Sequence, residues 1–151
     1  MDATIKDSVK IIKFVYIGML FGTVLFFCLV LFLSQKIQPF LKDHPQSFFI
    51  LAIANVVALT SLVAGMLIFK ARLKTIGAFD LEGKLLKYKE AIIIRTASME
   101  GACFILLLVF LVLGNKMLLY EAAIVFALML VFFPSKYRMV SEMGIDYGQL
   151  D

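Results

Sequence analysis

Glu100 stands nine residues inside an apolar run that begins at Ala91. At ~1.5 Å per helical residue, its carboxyl would sit roughly 13 Å along that helix, near the middle of a bilayer. A carboxyl in hydrocarbon is costly and marks a functional candidate. Two chemistries suit it. Hydrogen-bonded to neighbouring hydroxyls, it locks helices together. Taking up and releasing a proton, it serves a transporter or channel. Other polar residues within apolar runs include Arg95, Thr96 and Ser98 on the same run and Asn55, Thr60 and Ser61 on an earlier one. Arg95 lies five residues from Glu100, about 140° around a helix, so the two do not pair within it. Thr60 and Ser61, on an antiparallel neighbour, should share the depth of Glu100. Asn55 should lie nearer the opposite end.

The remaining reactive side chains form no constellation. His44 is the single histidine and falls in a loop. Haem ligation or a His-bearing di-metal site between helices therefore lacks ligands. No Ser/His/Asp or Cys/His set and no Gly-rich phosphate loop is present. Cys28 and Cys103 both lie in apolar runs, without a C-x-x-C spacing, and read as small core residues. Glu121 is placed near the outer end of a span, solvated or paired with Lys116. No enzymatic activity, no metal and no cofactor is expected.

The elements that must position these residues are membrane spans. The chain is 62% hydrophobic with a mean hydropathy of +0.98. Soluble domains are about half apolar, so the bilayer must be part of this chain's solvent. Its 151 residues suit a single domain, and a net charge of +4 is too mild to imply nucleic acid. Four spans are predicted, at about 11–34, 48–70, 91–114 and 117–133. The first is too long for a signal-peptide core and no small-residue cleavage site follows it. The fourth is short, bounded by Gly114-Asn115-Lys116 before it and Pro134 after it. Spans three and four must form an antiparallel hairpin. The loop between spans one and two contains Pro39 and Pro45, and its Ile37, Phe40 and Leu41 favour the interface. No Trp is present, so Tyr16, Tyr88, Tyr120 and Tyr137, near span ends, take the role of interfacial anchors. The fold class expected is all-α: an integral membrane four-helix bundle, up-down-up-down.

Orientation follows from Lys and Arg. The N-terminal flank, the loop between spans two and three with Arg95, and the tail together carry twelve; Lys36, Lys42 and Lys116 make three on the other side. Both termini are expected to be cytoplasmic, in a bacterial inner membrane. Within residues 80–90, Leu81, Leu85, Tyr88 and Ile92 recur at helical spacing, and Asp80 is placed to cap. Span three should thus begin as a helical extension outside the hydrocarbon, with Lys84, Lys87 and Lys89 at anionic lipid headgroups. Gly83 weakens that helix slightly.

Small residues mark candidate helix contacts. Gly18-x-x-x-Gly22 in span one aligns with Ala97-x-x-x-Gly101 in span three, and Gly65 closes a Ser61-x-x-x-Gly65 face in span two. The ends of spans two and four, residues 69–74 and 133–138, also correspond. The two halves read as parallel hairpin repeats.

Several stretches together resemble a set of uncharacterised small four-span membrane proteins of Bacteroidota-type bacteria. They are the basic lead-in Lys87-Tyr88-Lys89-Glu90-Ala91, the Ile94-Arg95 and Glu100-Gly101 core, the Gly114-Asn115 turn, and Phe133-Pro134-Ser135-Lys136 before a polar tail. The resemblance covers most of the chain, is more specific in its second half, and implies a class without a known activity. The expected role is a non-enzymatic accessory or scaffold subunit, packing with itself as a homo-oligomer or with a larger membrane complex. The alternative is a small proton-coupled transporter or channel using Glu100. The environment of Glu100 separates them: dry packing favours the first and a water-filled cavity the second.

Overall fold

The computed structural model describes residues 2–41 and 44–150, and side chains over 5–41 and 44–148. Lys42, one of the three cations counted on the opposite side, lies outside the described residues. The described chain is helical: α1 (Asp2–Ser34), α2 (Ser47–Thr75), α3 (Leu81–Leu113), α4 (Lys116–Val131) and α5 (Lys136–Met143). Short 3-10 turns occupy Ile76–Ala78 and Tyr147–Leu150. No strand occurs among the described residues.

Three helices, α1 to α3, are long and apolar enough to cross a membrane; a fourth crossing counts only if α4 and α5 are taken together across an 80° bend. The predicted spans are therefore displaced at their ends. α1 starts well before residue 11 and α2 runs past residue 70, because Lys, Arg, Ala and Leu at these ends favour helix. α4 has 16 residues, about 24 Å, short of a ~30 Å hydrocarbon layer.

Local chemistry sets the boundaries. Asp80 caps α3 by accepting from the Gly83 N–H at 3.1 Å. A Cβ on Gly83 would stand 2.8 Å from that same carboxylate, so the glycine makes room for the cap. α3 ends on Gly114 with φ 65°, the left-handed turn that glycine adopts freely. Pro39 packs where its Cβ would be, and Leu41 N–H reaches the Val112 carbonyl at 3.3 Å. The first loop is thus laid against the α3–α4 turn. Asn115 then caps α4, accepting from the Met117 N–H at 3.0 Å. Pro134 prevents α4 from continuing, and Ser135 starts α5 by accepting from the Arg138 N–H.

α3 is the central helix. α1, α2 and α4 each pack on it, whereas α2 has little contact with α1 or α4. α2 runs antiparallel to α3: Gly65 meets Ser98 and Arg72 pairs with Glu90. α1 runs parallel to it: Gly22 faces Glu100, and the Phe26 and Phe104 rings lie 4.3 Å apart. One buried cluster joins Val30, Ala58, Met99, Cys103, Leu107, Ala122 and Met129. A second, at the end where both termini gather, joins Ile12, Tyr16, Phe69, Leu85, Tyr88, Ile92, Met139 and Met143. The polar tail expected after Pro134 is instead an amphipathic helix, α5, whose Met139 and Met143 are buried in this cluster.

Candidate functional site

Arg95 is the largest fully buried side chain among the described residues, 1% exposed. It projects from α3 toward the place where α4 stops and α5 begins. Its guanidinium lies 3.9 Å from the centroid of the Phe69 ring and 5.0 Å from that of Phe132. One Nη donates to Glu142 of α5 at 3.3 Å and the other to the Phe132 carbonyl at 3.2 Å. The second Glu142 oxygen accepts from the Tyr88 hydroxyl at 2.6 Å. Arg138 approaches the same carboxylate at 3.7 Å and donates to the Val131 carbonyl. Tyr88 precedes the apolar run of α3; burial, then its bond to Glu142, holds its phenol above the usual range, so it remains a donor.

The last carbonyls of a helix have no partner within it. At the end of α4 those of Met129, Val131 and Phe132 accept from Tyr16, Arg138 and Arg95, the first at 2.6 Å. Two of the three donors are cations at a helix C-terminus, where the macrodipole favours positive charge. The network therefore satisfies the end of the short helix and ties the C-terminal helix to α3 in one step.

Glu100 is elsewhere. It is half-buried and faces α1, with one carboxyl oxygen 3.4 Å from where a Cβ of Gly22 would be. Thr23 is buried on the same face of α1, but its hydroxyl donates to the Met19 carbonyl of its own helix at 2.9 Å. Thr60 and Ser61 do not meet Glu100. Thr60 is exposed and donates to the Val56 carbonyl of its own helix at 2.7 Å, and Ser61 donates across to the Ser98 carbonyl at 3.0 Å. Ser61, with Gly65, faces the Arg95–Ser98 side of α3, whereas Thr60 is on the exposed side of α2. Asn55 donates to the Leu51 carbonyl at 3.1 Å and lines a groove with Glu121, far from Glu100. One oxygen of Glu121 is buried without a hydrogen-bond partner, so the carboxyl is not freely solvated, and no ion pair between Glu121 and Lys116 occurs among the described residues.

The small-residue faces divide sharply. A Cβ on Gly65 would come within 2.4 Å of Ser98 Cβ, so α2 and α3 touch there as closely as backbones allow. Gly22 makes the one further contact, onto Glu100. Gly18 and Gly101 have nothing within 4 Å, and Ala97 is exposed. The expected packing at Gly18, Ala97 and Gly101 is therefore corrected for a single chain. Gly22 lies beside Glu100, one residue from Gly101, so the aligned glycines are at nearly the same depth, but only Gly22 makes a contact between helices.

The basic lead-in is partly committed. Lys87 and Arg72 both hold Glu90, at 3.1 and 3.0 Å, and Lys89 stands beside Glu82 and Ser8. Cys103 is buried, donating weakly to the Ala122 carbonyl, whereas Cys28 is exposed. His44 is exposed, its Nδ1 accepting from the Gln46 N–H.

Sequence reasoning missed Glu142 altogether. A signal was available: a buried Arg95 needs an acceptor, and Met139 and Met143 at i, i+4 mark a helix with one apolar face beside Glu142. No protein-family model matches the chain, and no curated protein or solved structure is significantly similar to it.

Proposed function

We propose that this chain is a four-span, up-down-up-down bundle of a bacterial inner membrane with both termini cytoplasmic. Its role is non-enzymatic: an accessory or scaffold subunit that packs with itself or with a larger membrane partner. The observation that supports this most is how the polar side chains along its apolar helices are used. Arg95 caps α4 and holds α5; Ser61 bonds α3; Thr23, Thr60 and Asn55 bond carbonyls of their own helices. Glu100 rests on Gly22 and Thr23 of α1. This is the use expected of groups that fix helices in a medium where water cannot satisfy them.

The outward faces fit the same reading. Phe14, Phe21, Phe48, Phe49, Ile53 and Leu67 are exposed on α1 and α2, where lipid or another helix would cover them. A short α4 is tolerable in hydrocarbon because its last carbonyls already have donors, with local bilayer thinning taking up the remainder. The role is tested by extracting the chain, tagged and at native level, from its own membrane. A complex of fixed stoichiometry, of this chain alone or with one membrane partner, is the expected result. A monomer, or a Glu100-dependent proton or solute flux in pH-gradient liposomes, would overturn it.

A further inference from the structure

α2 and α4 both rest on α3 but hardly touch each other, which leaves a trough between them. Two cavities occupy it. One, about 460 Å³, is lined by Phe69, Lys70, Leu73, Arg95, Phe132 and Glu142 among others. The other, about 350 Å³, is walled by residues such as Ala58, Leu62, Leu106 and Val125, with Asn55 and Glu121 at its polar margin. Leu62 of the second and Met66 of the first are one helical turn apart on α2, so the two cavities follow one line. From Leu73 back to Asn55 the two cavities together follow α2 for about 27 Å, most of a ~30 Å hydrocarbon layer.

Its two parts differ in chemistry. The walls toward Leu62 are apolar. The Lys70 end gathers three cations, Lys70, Arg95 and Arg138, around one carboxylate, Glu142. Lys70 is exposed and makes no ion pair among the described residues. An apolar slot that leads inward from uncompensated positive charge, long enough to take an acyl chain, matches an anionic phospholipid: an acyl chain between α2 and α4, and a phosphate at Lys70. We propose that this trough binds one anionic phospholipid of the leaflet on the side of the termini. The site differs from the basic lead-in of α3, where Lys87 is held by Glu90. The inference rests on the membrane setting proposed above but not on the scaffold role.

Native mass spectrometry of the full chain in detergent, titrated with dioleoyl phosphatidylglycerol or dioleoyl phosphatidylcholine, tests it. The chain should retain the anionic lipid in preference to the zwitterionic one, and Lys70→Gln should lower that preference about fivefold. Leu62→Trp, filling the slot, should reduce retention of both lipids. The triple variant Lys84→Gln, Lys87→Gln, Lys89→Gln should leave the preference intact. Lys70 is exposed, so its variant keeps the fold; if Leu62→Trp loses helicity, the Lys70 comparison decides. Four results would overturn the proposal. They are equal retention of the two lipids, an equal loss in the triple variant, displacement of the lipid by inorganic phosphate at matching concentration, and a disulfide-crosslinked dimer formed by the variant carrying Ile124→Cys and Asn55→Cys. None of these depends on whether the chain is a subunit of a larger complex.

Discussion

Replacing Glu142 by Ala should release α5 while the long helices stay together. The substitution removes the acceptor of the Arg95 Nη at 3.3 Å and of the Tyr88 hydroxyl at 2.6 Å. Arg95 would keep the Phe132 carbonyl and two ring faces but lose its counter-ion while almost fully buried. Breaking a buried pair by removing one partner costs about 3–5 kcal/mol. Glu142 is 20% exposed, so water can reach the vacated place and the lower figure applies. The orphaned Tyr88 hydroxyl draws on the same loss and is not added to it. What holds α5 otherwise is chiefly Met139 and Met143, worth about 1.5–3 kcal/mol each. A loss of ~3 kcal/mol therefore consumes much of the docking energy of α5 and little of that of α3. Amide exchange over residues 136–143 should accelerate by about two orders of magnitude, with residues 100–113 unchanged. Replacing both partners, Arg95→Met with Glu142→Met, should restore only part of the protection: it removes both buried charges but leaves the Phe132 carbonyl and the Tyr88 hydroxyl without their partners. Unchanged exchange in α5 or equal acceleration in α3 would refute this account of the network.

Gly65→Ala should cost ~1–3 kcal/mol in thermal or denaturant stability, because its Cβ would lie 2.4 Å from Ser98 Cβ in a packed seam. Gly101→Leu should leave the stability of the single chain unchanged, since nothing lies within 4 Å; a fall in stability would show that the α3 face is closed. A single Cys at Gly148 should react with an impermeant maleimide from the cytoplasmic side alone, and labelling only from the periplasm would reverse the topology. Glu100→Gln should preserve the fold, and Glu100→Leu should cost about 1 kcal/mol or less, since the Thr23 hydroxyl already donates to the Met19 carbonyl; a loss above ~3 kcal/mol would show that the carboxyl bonds a group across the helices.

What the sequence discloses here is what short-range chemistry determines. The Asp80 cap, the extension of α3 below Ala91, the Gly114-Asn115 turn and the stop at Pro134 each depend on neighbouring residues, and each is found. Which face of each helix packs is another matter. α1, α2 and the second half of α3 are apolar nearly all round, so hydrophobic periodicity cannot distinguish a face against protein from one against lipid. Hence Gly65 and Gly101 look alike in sequence, yet one touches Ser98 and the other nothing. The centrality of α3 is hidden for the same reason. α5 was hidden by a different one: its eight residues follow a proline and are too few for periodicity to stand out from a polar tail.

Arg95 and Glu100 together show why counting charges in an apolar run undervalues one of them. They share a helix and are five residues apart, which turns them toward different neighbours. Glu100 meets α1, where a glycine and a threonine leave room for a carboxyl. Arg95 meets the end of α4, where the acceptors are backbone carbonyls as well as a carboxylate. A helix too short for its surroundings creates acceptors at its C-terminus, and these carry no signature in the sequence beyond the length of the apolar run and the proline that ends it. A cation inside an adjacent helix at that depth is therefore to be matched first to the shortfall of the short helix and only then to the nearest acid. On that rule the 16-residue α4, Pro134 and Arg95 belong to one device. Glu142 then follows as the counter-ion that makes burying the guanidinium tolerable, rather than as the reason the arginine is there.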